Sequence, residues 1–389
     1  MRPPLGNYKG CPYVEEGTAS VWMKSIRWRH PSDPSGISSN GCEKAKQRIA
    51  AALSVDPSTI KLDRYELNLP GWAFHCTGRL DGGRFFAKTY LNDFNPPLRR
   101  ITRSVTPWQE LELLRRPEMS FGGNVGNELC MLEQIRQHDP DRCLPSILGS
   151  SVKFGTLVLE ELRGVRMDRH VRWQGWPSKS LRASADIIRR AGRWLRKIHD
   201  STSNGFDELH PAELAETIRR LVALKKLEST RYGGLALGVM KSCMERVATD
   251  TVFVPRCLCH GDFTLVNIIW DANGDRLRVI DLEHSVFGNV LHDVSSLIFN
   301  LRSELLYPWA SSRAVKFFEE AFRSGYGAIS DDLAATVDAI STARLFYSLL
   351  PRLLHRGKRR GWLAGAEASL YVRWLEPMML KRTLRQLGW

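Results

Sequence analysis

No stretch of this 389-residue chain approaches the ~18 consecutive apolar residues that a membrane span requires. The opening MRPPLGNYKGCPYVEEG has no apolar run behind a basic head, so no export signal is expected and the expected location is cytoplasmic. Zinc-finger spacings and the aromatic signatures of RNA-binding modules are also missing. A net charge of +14 therefore does not read as sequence-specific nucleic-acid binding. Disulfide spacing is absent as well. The eight cysteines, at 11, 42, 76, 130, 143, 243, 257 and 259, are scattered and read as reduced thiols. Cys257, Cys259 and His260 form a C-x-C-H cluster, but nothing nearby in sequence completes a tetrahedral zinc set. Internal repeats are lacking too.

What remains is an ordinary globular composition, 43% hydrophobic and 25% charged, in a chain long enough for two packed lobes. Residues 1–40, rich in Pro, Gly and Ser around HPSDPSGISSNG, read as an amino-terminal extension. Residues 41–162 read as a smaller β-rich lobe. CEKAKQRIAAALSV has helical spacing, IKLDRYEL is β-prone, and WAFHCTGRL and RFFAKTYL form a hairpin about Asp81-Gly82-Gly83. The proline-studded segment at about 92–126 reads as an insertion. NELCMLEQIRQH is a further helix, and TLVLEEL is a strand ended by Arg163-Gly164. Residues 163–389 read as a larger, mainly helical lobe, interrupted by a strand-loop-strand region at 256–282. The fold class expected is α+β.

The informative segment is CLCHGDFTLVNIIWDANGDRLRVIDLEHS. His260-Gly261-Asp262 follows an apolar stretch, and Asn267 opens the strand Ile268-Ile269-Trp270. Asp271-Ala272-Asn273-Gly274 turns the chain, and a second apolar run ends at Asp281. Asp262 and Asn267 therefore stand at two ends of one loop, with Asp281 on the hairpin partner beside Asn267. Three oxygen-bearing side chains converging at a sheet edge suit phosphoryl transfer. That reaction needs hard oxygen ligands for Mg²⁺ and a carboxylate to orient the acceptor hydroxyl.

HGDFTLVN resembles the H-x-D-x-x-x-x-N catalytic loop of the aminoglycoside phosphotransferase-like small-molecule kinases of the protein-kinase-like superfamily. IDLE resembles their metal-binding segment. The resemblance implies a two-lobed kinase-like fold that moves the γ-phosphate of ATP or GTP. It implies Asp262 as base, Asn267 and Asp281 on magnesium with a contact from Glu283, His260 bracing the loop, and Asp293 supporting it. Lys88 in RFFAKTYL stands where the family has its phosphate lysine. Glu128 is the favoured helix partner, with Glu133, Glu110 and Glu112 as alternatives. VLEELRG resembles the linker between lobes, whose backbone at Glu161 and Leu162 would meet the base edge. His199 reads as a core histidine on a helix behind the loop. No glycine-rich G-x-G-x-x-G is found, only Leu69-Pro70-Gly71. The short stretch from Asp281 to Asp293 leaves no room for an activation loop and peptide platform, which argues against a protein substrate.

The acceptor is expected to be a small hydroxyl compound. Arg352, Arg356, Lys358, Arg359 and Arg360, with Lys381, Arg382 and Arg385, disfavour a polycationic aminoglycoside. They favour a neutral or anionic acceptor such as a sugar, a glycan or an anionic glycolipid, on whose rings Trp309, Trp362, Trp374 and Trp389 could stack. LLPRLLHRGKRRGWL also reads as a membrane-surface segment, which would place the protein peripherally at the inner membrane surface. The competing readings are an aminoglycoside phosphotransferase, a pseudokinase-like scaffold and a basic nucleic-acid binder. The presence of Lys88, Asp262, Asn267 and Asp281 together weighs against the scaffold.

Overall fold

The structure, a computed structural model, describes residues 39–68, 73–90, 125–173, 178–212, 251–304 and 311–356, with isolated positions between 215 and 245. The extension up to residue 38, most of the 92–126 insertion, Leu69-Pro70-Gly71, Trp309 and everything beyond 356 lie outside the described residues.

The first lobe is a five-stranded antiparallel sheet with one helix on each side. Helix α1 (Ser39–Leu53) is followed by β1 (Lys61–Asn68), β2 (Ala73–Leu80) and β3 (Gly83–Tyr90). Then come α2 (Val125–Gln137), β4 (Ile147–Ser151) and β5 (Thr156–Glu160), and the sheet order is β1-β2-β3-β5-β4. The β2–β3 turn is the two-residue kind foreseen. Leu80 pairs with Gly83, and Asp81 and Gly82 both take positive φ, at 49° and 79°. That backbone matches the twist of the flanking strands and is open to Asp and Gly at little cost.

Strand alternation decides what faces where. Phe85 and Ala87 on β3 join Cys76, Tyr65 and Val158 in a core closed by Ala45, Ile49 and Ala50 of α1. Phe86 and Lys88 point to the opposite side, toward the second lobe, where Leu157 and Leu159 of β5 meet Val125, Leu132 and Ile135 of α2. Period two thus puts a lysine on the face that the apolar core of α1 does not use.

The second lobe opens with β6 (Val165–Arg166), α3 (Met167–Trp173) and the long α4 (Ser178–Ser201). Strands β7 (Phe206–Leu209), β8 (Val252–Cys259), β9 (Ile268–Asp271), β10 (Arg276–Val279) and β11 (Val286–Asn289) follow. Helices α5 (Leu291–Ser303), α6 (Ser312–Tyr326) and α7 (Asp331–Arg356) complete the described part. The α+β, two-lobed expectation holds, with one correction. The second lobe carries two three-stranded sheets, β10-β9-β6 and β11-β8-β7, where the sequence showed a single strand-loop-strand unit. The missed strands have two to four residues, too few for alternation to register. Arg302 of α5 pairs with Glu319 of α6 at 2.6 Å and with Asp338 of α7, tying the three helices together. Among the described residues, no helix is long and apolar enough to cross a membrane.

Candidate active site

Between β8 and β9 the chain turns sharply, and its turn is held from below by one carboxylate. Asp293, in the first turn of α5 and fully buried, accepts hydrogen bonds from the backbone N–H of His260 at 2.7 Å and of Gly261 at 2.8 Å. The same carboxylate takes a third from His199 Nε2 at 3.1 Å, whose Nδ1 is 2.8 Å from the Tyr326 hydroxyl. Burial opposes a charge on Asp293, but these partners outweigh it and hold the carboxyl below its ordinary range. Gly261 has φ of 82°, and a Cβ there would collide with the His284 carbonyl. The turn therefore admits only glycine without rebuilding.

His260 locks the other side of the loop. Its Nε2–H donates to the Ile280 carbonyl at 2.9 Å, while Nδ1 accepts from the Asp262 N–H at 3.3 Å. That engagement corrects the C-x-C-H grouping, since His260 points away from the two cysteines. It is His199 that lies with Cys257 and Cys259, their ligand-type atoms within 4.8 Å of one another. Both ring nitrogens of His199 are already hydrogen-bonded, so neither is free to ligate an ion.

Asp262 and Asn267 face each other across the loop. Asn267 Nδ2 donates to the Asp262 carbonyl at 2.9 Å and to its Oδ2 at 3.1 Å. With the amide nitrogen so occupied, Oδ1 is the Asn267 atom left for another partner. Burial raises the Asp262 carboxyl above its usual value. The β9–β10 ladder, with Val279 opposite Ile268 and Ile280 N–H donating to the Asn267 carbonyl at 3.0 Å, brings Asp281 beside Asn267. Asp281 adopts the left-handed conformation, φ 69° and ψ 62°. For a non-glycine residue this costs about 1–3 kcal/mol and is found where a side chain must be aimed.

Lys88 closes the arrangement from the first lobe. Only 4% exposed, it places Nζ 2.9 Å from Glu128 Oε1, in direct ion contact with Asp281 Oδ1 and 3.9 Å from Glu283 Oε2. Burial works against the ammonium, but the three carboxylates more than compensate and raise its pKa. Asp281 is correspondingly lowered: burial opposes its charge and Lys88 overrides that. Of the candidate glutamates it is Glu128, 1% exposed, that meets the lysine, while Glu133 is exposed to solvent. Glu110 and Glu112 lie outside the described residues. The linker residues Glu161 and Leu162 follow β5 at the lobe boundary. The Glu161 side chain pairs with Arg84 at 3.3 Å, and its N–H approaches the Arg84 carbonyl at 3.5 Å.

Two residues beside the site, His75 and Asn300, escaped the sequence reading. His75 pairs in register with Lys88 across β2–β3, and its ring lies 5.6 Å from that of Phe86, tilted by 59°. Burial, then the Lys88 charge, lower its pKa to about 4, so the ring is neutral. The clue was alternation, since His75, Phe86 and Lys88 share a face. Asn300 Oδ1 accepts from the Leu265 N–H at 3.0 Å, and nothing local to Asn300 signals that.

The Phosphotransferase enzyme family model matches residues 125–334. A comparison with curated proteins found no match. Among solved structures, the macrolide 2′-phosphotransferase of Brachybacterium faecium is 16% identical over 82% of this chain and 93% of its own, with a TM-score of 0.45. The choline kinase of Streptococcus pneumoniae is 14% identical over 90% and 99%, at 0.46. An aminoglycoside phosphotransferase of Alicyclobacillus acidocaldarius is 13% identical over 87% and 96%, at 0.45. Since the family match spans more than half of the sequence and includes the whole loop from His260 to Asp293, the chain belongs to the Phosphotransferase enzyme family.

Proposed function

We propose that the protein transfers the γ-phosphoryl group of ATP or GTP to a hydroxyl of a small molecule, with Asp262 as the group that orients the acceptor. The observation that carries this reading is the charge balance around Lys88. Three carboxylates, from Asp281, Glu128 and Glu283, surround one ammonium, so the pocket is short of positive charge. Its free donors are oxygens, the set that a hard divalent cation takes. Asn267 Oδ1 and Asp281, with Glu283 beside them, would hold magnesium, which when bound neutralises phosphate charge.

The chain's own residues supply the rest. Lys88, fixed by Glu128, offers an ammonium to the nucleotide phosphates. Asp262 has Oδ2 tied to Asn267 and no described partner on Oδ1, which is the atom left to accept the acceptor's hydroxyl proton. A carboxylate whose pKa burial has raised is a better base for that proton than a solvated one. The Glu161 carbonyl and Leu162 amide would meet the base edge. His260 and Asp293 hold the loop and touch no substrate. The acceptor is a neutral or anionic hydroxyl compound of the sugar or glycan type, favoured by the basic residues from Arg352 onward.

Melting curves with Mg²⁺ and ATP or GTP test this directly. Wild type should be stabilised, Asp281→Asn should lose that response, and Asp262→Ala should keep it while turnover falls about 10²–10⁴-fold. A folded wild type that shows no magnesium-nucleotide response would sink the reading.

A further inference from the structure

Three buried polar atoms on segments around Asp262 have no hydrogen-bond partner among the described residues: Thr264 Oγ1, His284 Nδ1 and Arg344 Nε. Thr264 and His284 belong to the catalytic-loop region itself. Arg344 comes from α7 and is only 5% exposed. Its Nη1 donates to the hydroxyls of Ser296 at 2.6 Å and Ser295 at 3.3 Å, and its guanidinium lies 5.3 Å from the Phe299 ring centroid. None of these partners carries a negative charge.

Among the described residues Arg344 has no ion-paired counter-ion, and a buried arginine so placed is costly because its desolvation is uncompensated. Burial lowers its pKa to about 10, opposed by the charges of Asp262 and Asp293, yet it stays cationic at neutral pH. Neither aspartate is bonded to it. Asp293 is committed to His260, Gly261 and His199. Asp262 is hydrogen-bonded by Asn267. The contrast with the other buried arginine of this helix layer is direct: Arg302 has both Glu319 and Asp338. Arg344 is thus a buried cation within electrostatic reach of Asp262, with donor capacity unspent.

We propose that Arg344 recognises an anionic group on the acceptor, so that the hydroxyl compound phosphorylated here carries a carboxylate or phosphate close to its reacting hydroxyl. The planar guanidinium fits either oxyanion, and Thr264 Oγ1 and His284 Nδ1, on the segments that flank Asp262, are likewise buried without a hydrogen-bond partner. The charge that opposes a polycationic acceptor lies in the buried site and not only in the basic residues further along the chain. This inference rests on the kinase reading above, which makes Asp262 the mark of the acceptor side.

Turnover with Mg-ATP is measured on matched pairs: glycerol against glycerol 3-phosphate, glucose against glucose 6-phosphate, and galactose against galacturonate. The charged member should be preferred by about tenfold or more in kcat/KM, and Arg344→Gln should erase the preference through KM. The phosphate and carboxylate pairs separate the two anion sources. A melting-shift arm needs no turnover. With Mg-ADP present, inorganic phosphate and acetate are compared with chloride at equal ionic strength. Wild type should respond to at least one, and Arg344→Gln should not. Should Arg344→Gln fail to fold, Arg344→Lys replaces it, and its response should be reduced because the planar fork is gone. Preference for neutral acceptors, or equal anion responses in wild type and variant, overturns the proposal. Loss of the wild-type Mg-nucleotide shift overturns instead the kinase reading on which it stands.

Discussion

Two buried ionic clusters sit on opposite sides of the His260–Asn267 loop, and they are built on opposite principles. Behind the loop, one carboxylate, Asp293, is surrounded by two backbone amides and one imidazole. In front of it, one ammonium, Lys88, is surrounded by three carboxylates. The rear cluster is saturated by the protein alone and makes a rigid seat. The front cluster sets three carboxylates against one ammonium, and it is half-open, since the Asp281 side chain remains 34% exposed. Burial of charge therefore says little about role. The ratio of donors to acceptors within the buried set separates scaffold from site.

The largest expected effect comes from breaking the saturated side. Asp293→Ala strips the acceptor from two buried amides and from His199, and should cost about 3–5 kcal/mol in urea unfolding. Full stability in that variant would remove the distinction between the clusters.

A smaller effect appears on acidification. The Asp293 carboxyl is held below its ordinary value, so the folded state binds fewer protons than the unfolded chain as pH falls. Its stabilisation is complete above about pH 4 and is lost as pH drops through the folded value. The gap in unfolding free energy between wild type and Asp293→Asn should therefore narrow between pH 7 and pH 3. A constant gap would mean that the charge of Asp293 contributes nothing beyond its hydrogen bonds.

The smallest effect sharpens the front side. Glu283→Gln removes one of the excess carboxylates and should leave the ligand-free melting temperature unchanged or slightly higher. The Mg²⁺-nucleotide shift should shrink at the same time. A lower ligand-free melting temperature would show that Glu283 is needed to balance Lys88.

Much of this was legible in the chain because the relevant relations are local. Asp262 and Asn267 share one loop, and the apolar runs on either side of Asp271–Gly274 announce the hairpin that carries Asp281. Lys88 was visible through its place on the strand after the Asp81-Gly82-Gly83 hairpin, where the resembled family has its lysine. The choice between Glu128 and Glu133 was not, because it depends on which face of α2 turns to the sheet. Arg344 was invisible for a stronger reason. Its partners Ser295 and Ser296 are nearly fifty residues away, and nothing in DDLAATVDAISTARLF marks an arginine as buried. The short strands β7 and β11 failed for lack of length. They are held by pairing to β8, with Phe253 opposite Glu208 and Gly288 opposite Cys257, and not by a pattern of their own.

The β9–β10 ladder has one more consequence, for how relatives of this chain should look. The covalent distance from Asp262 to Asn267 is part of the loop's geometry, since Asn267 Nδ2 donates back to the Asp262 carbonyl and carboxylate. The distance from Asn267 to Asp281 is set by hydrogen bonds across the hairpin, while Ala272 to Asp275 lie exposed at its tip. Residues inserted at that tip would lengthen the turn and leave both side chains where they are. The first spacing is a ruler and the second an accordion, so a homologue is better recognised by strand register than by counting residues between its asparagine and its second aspartate.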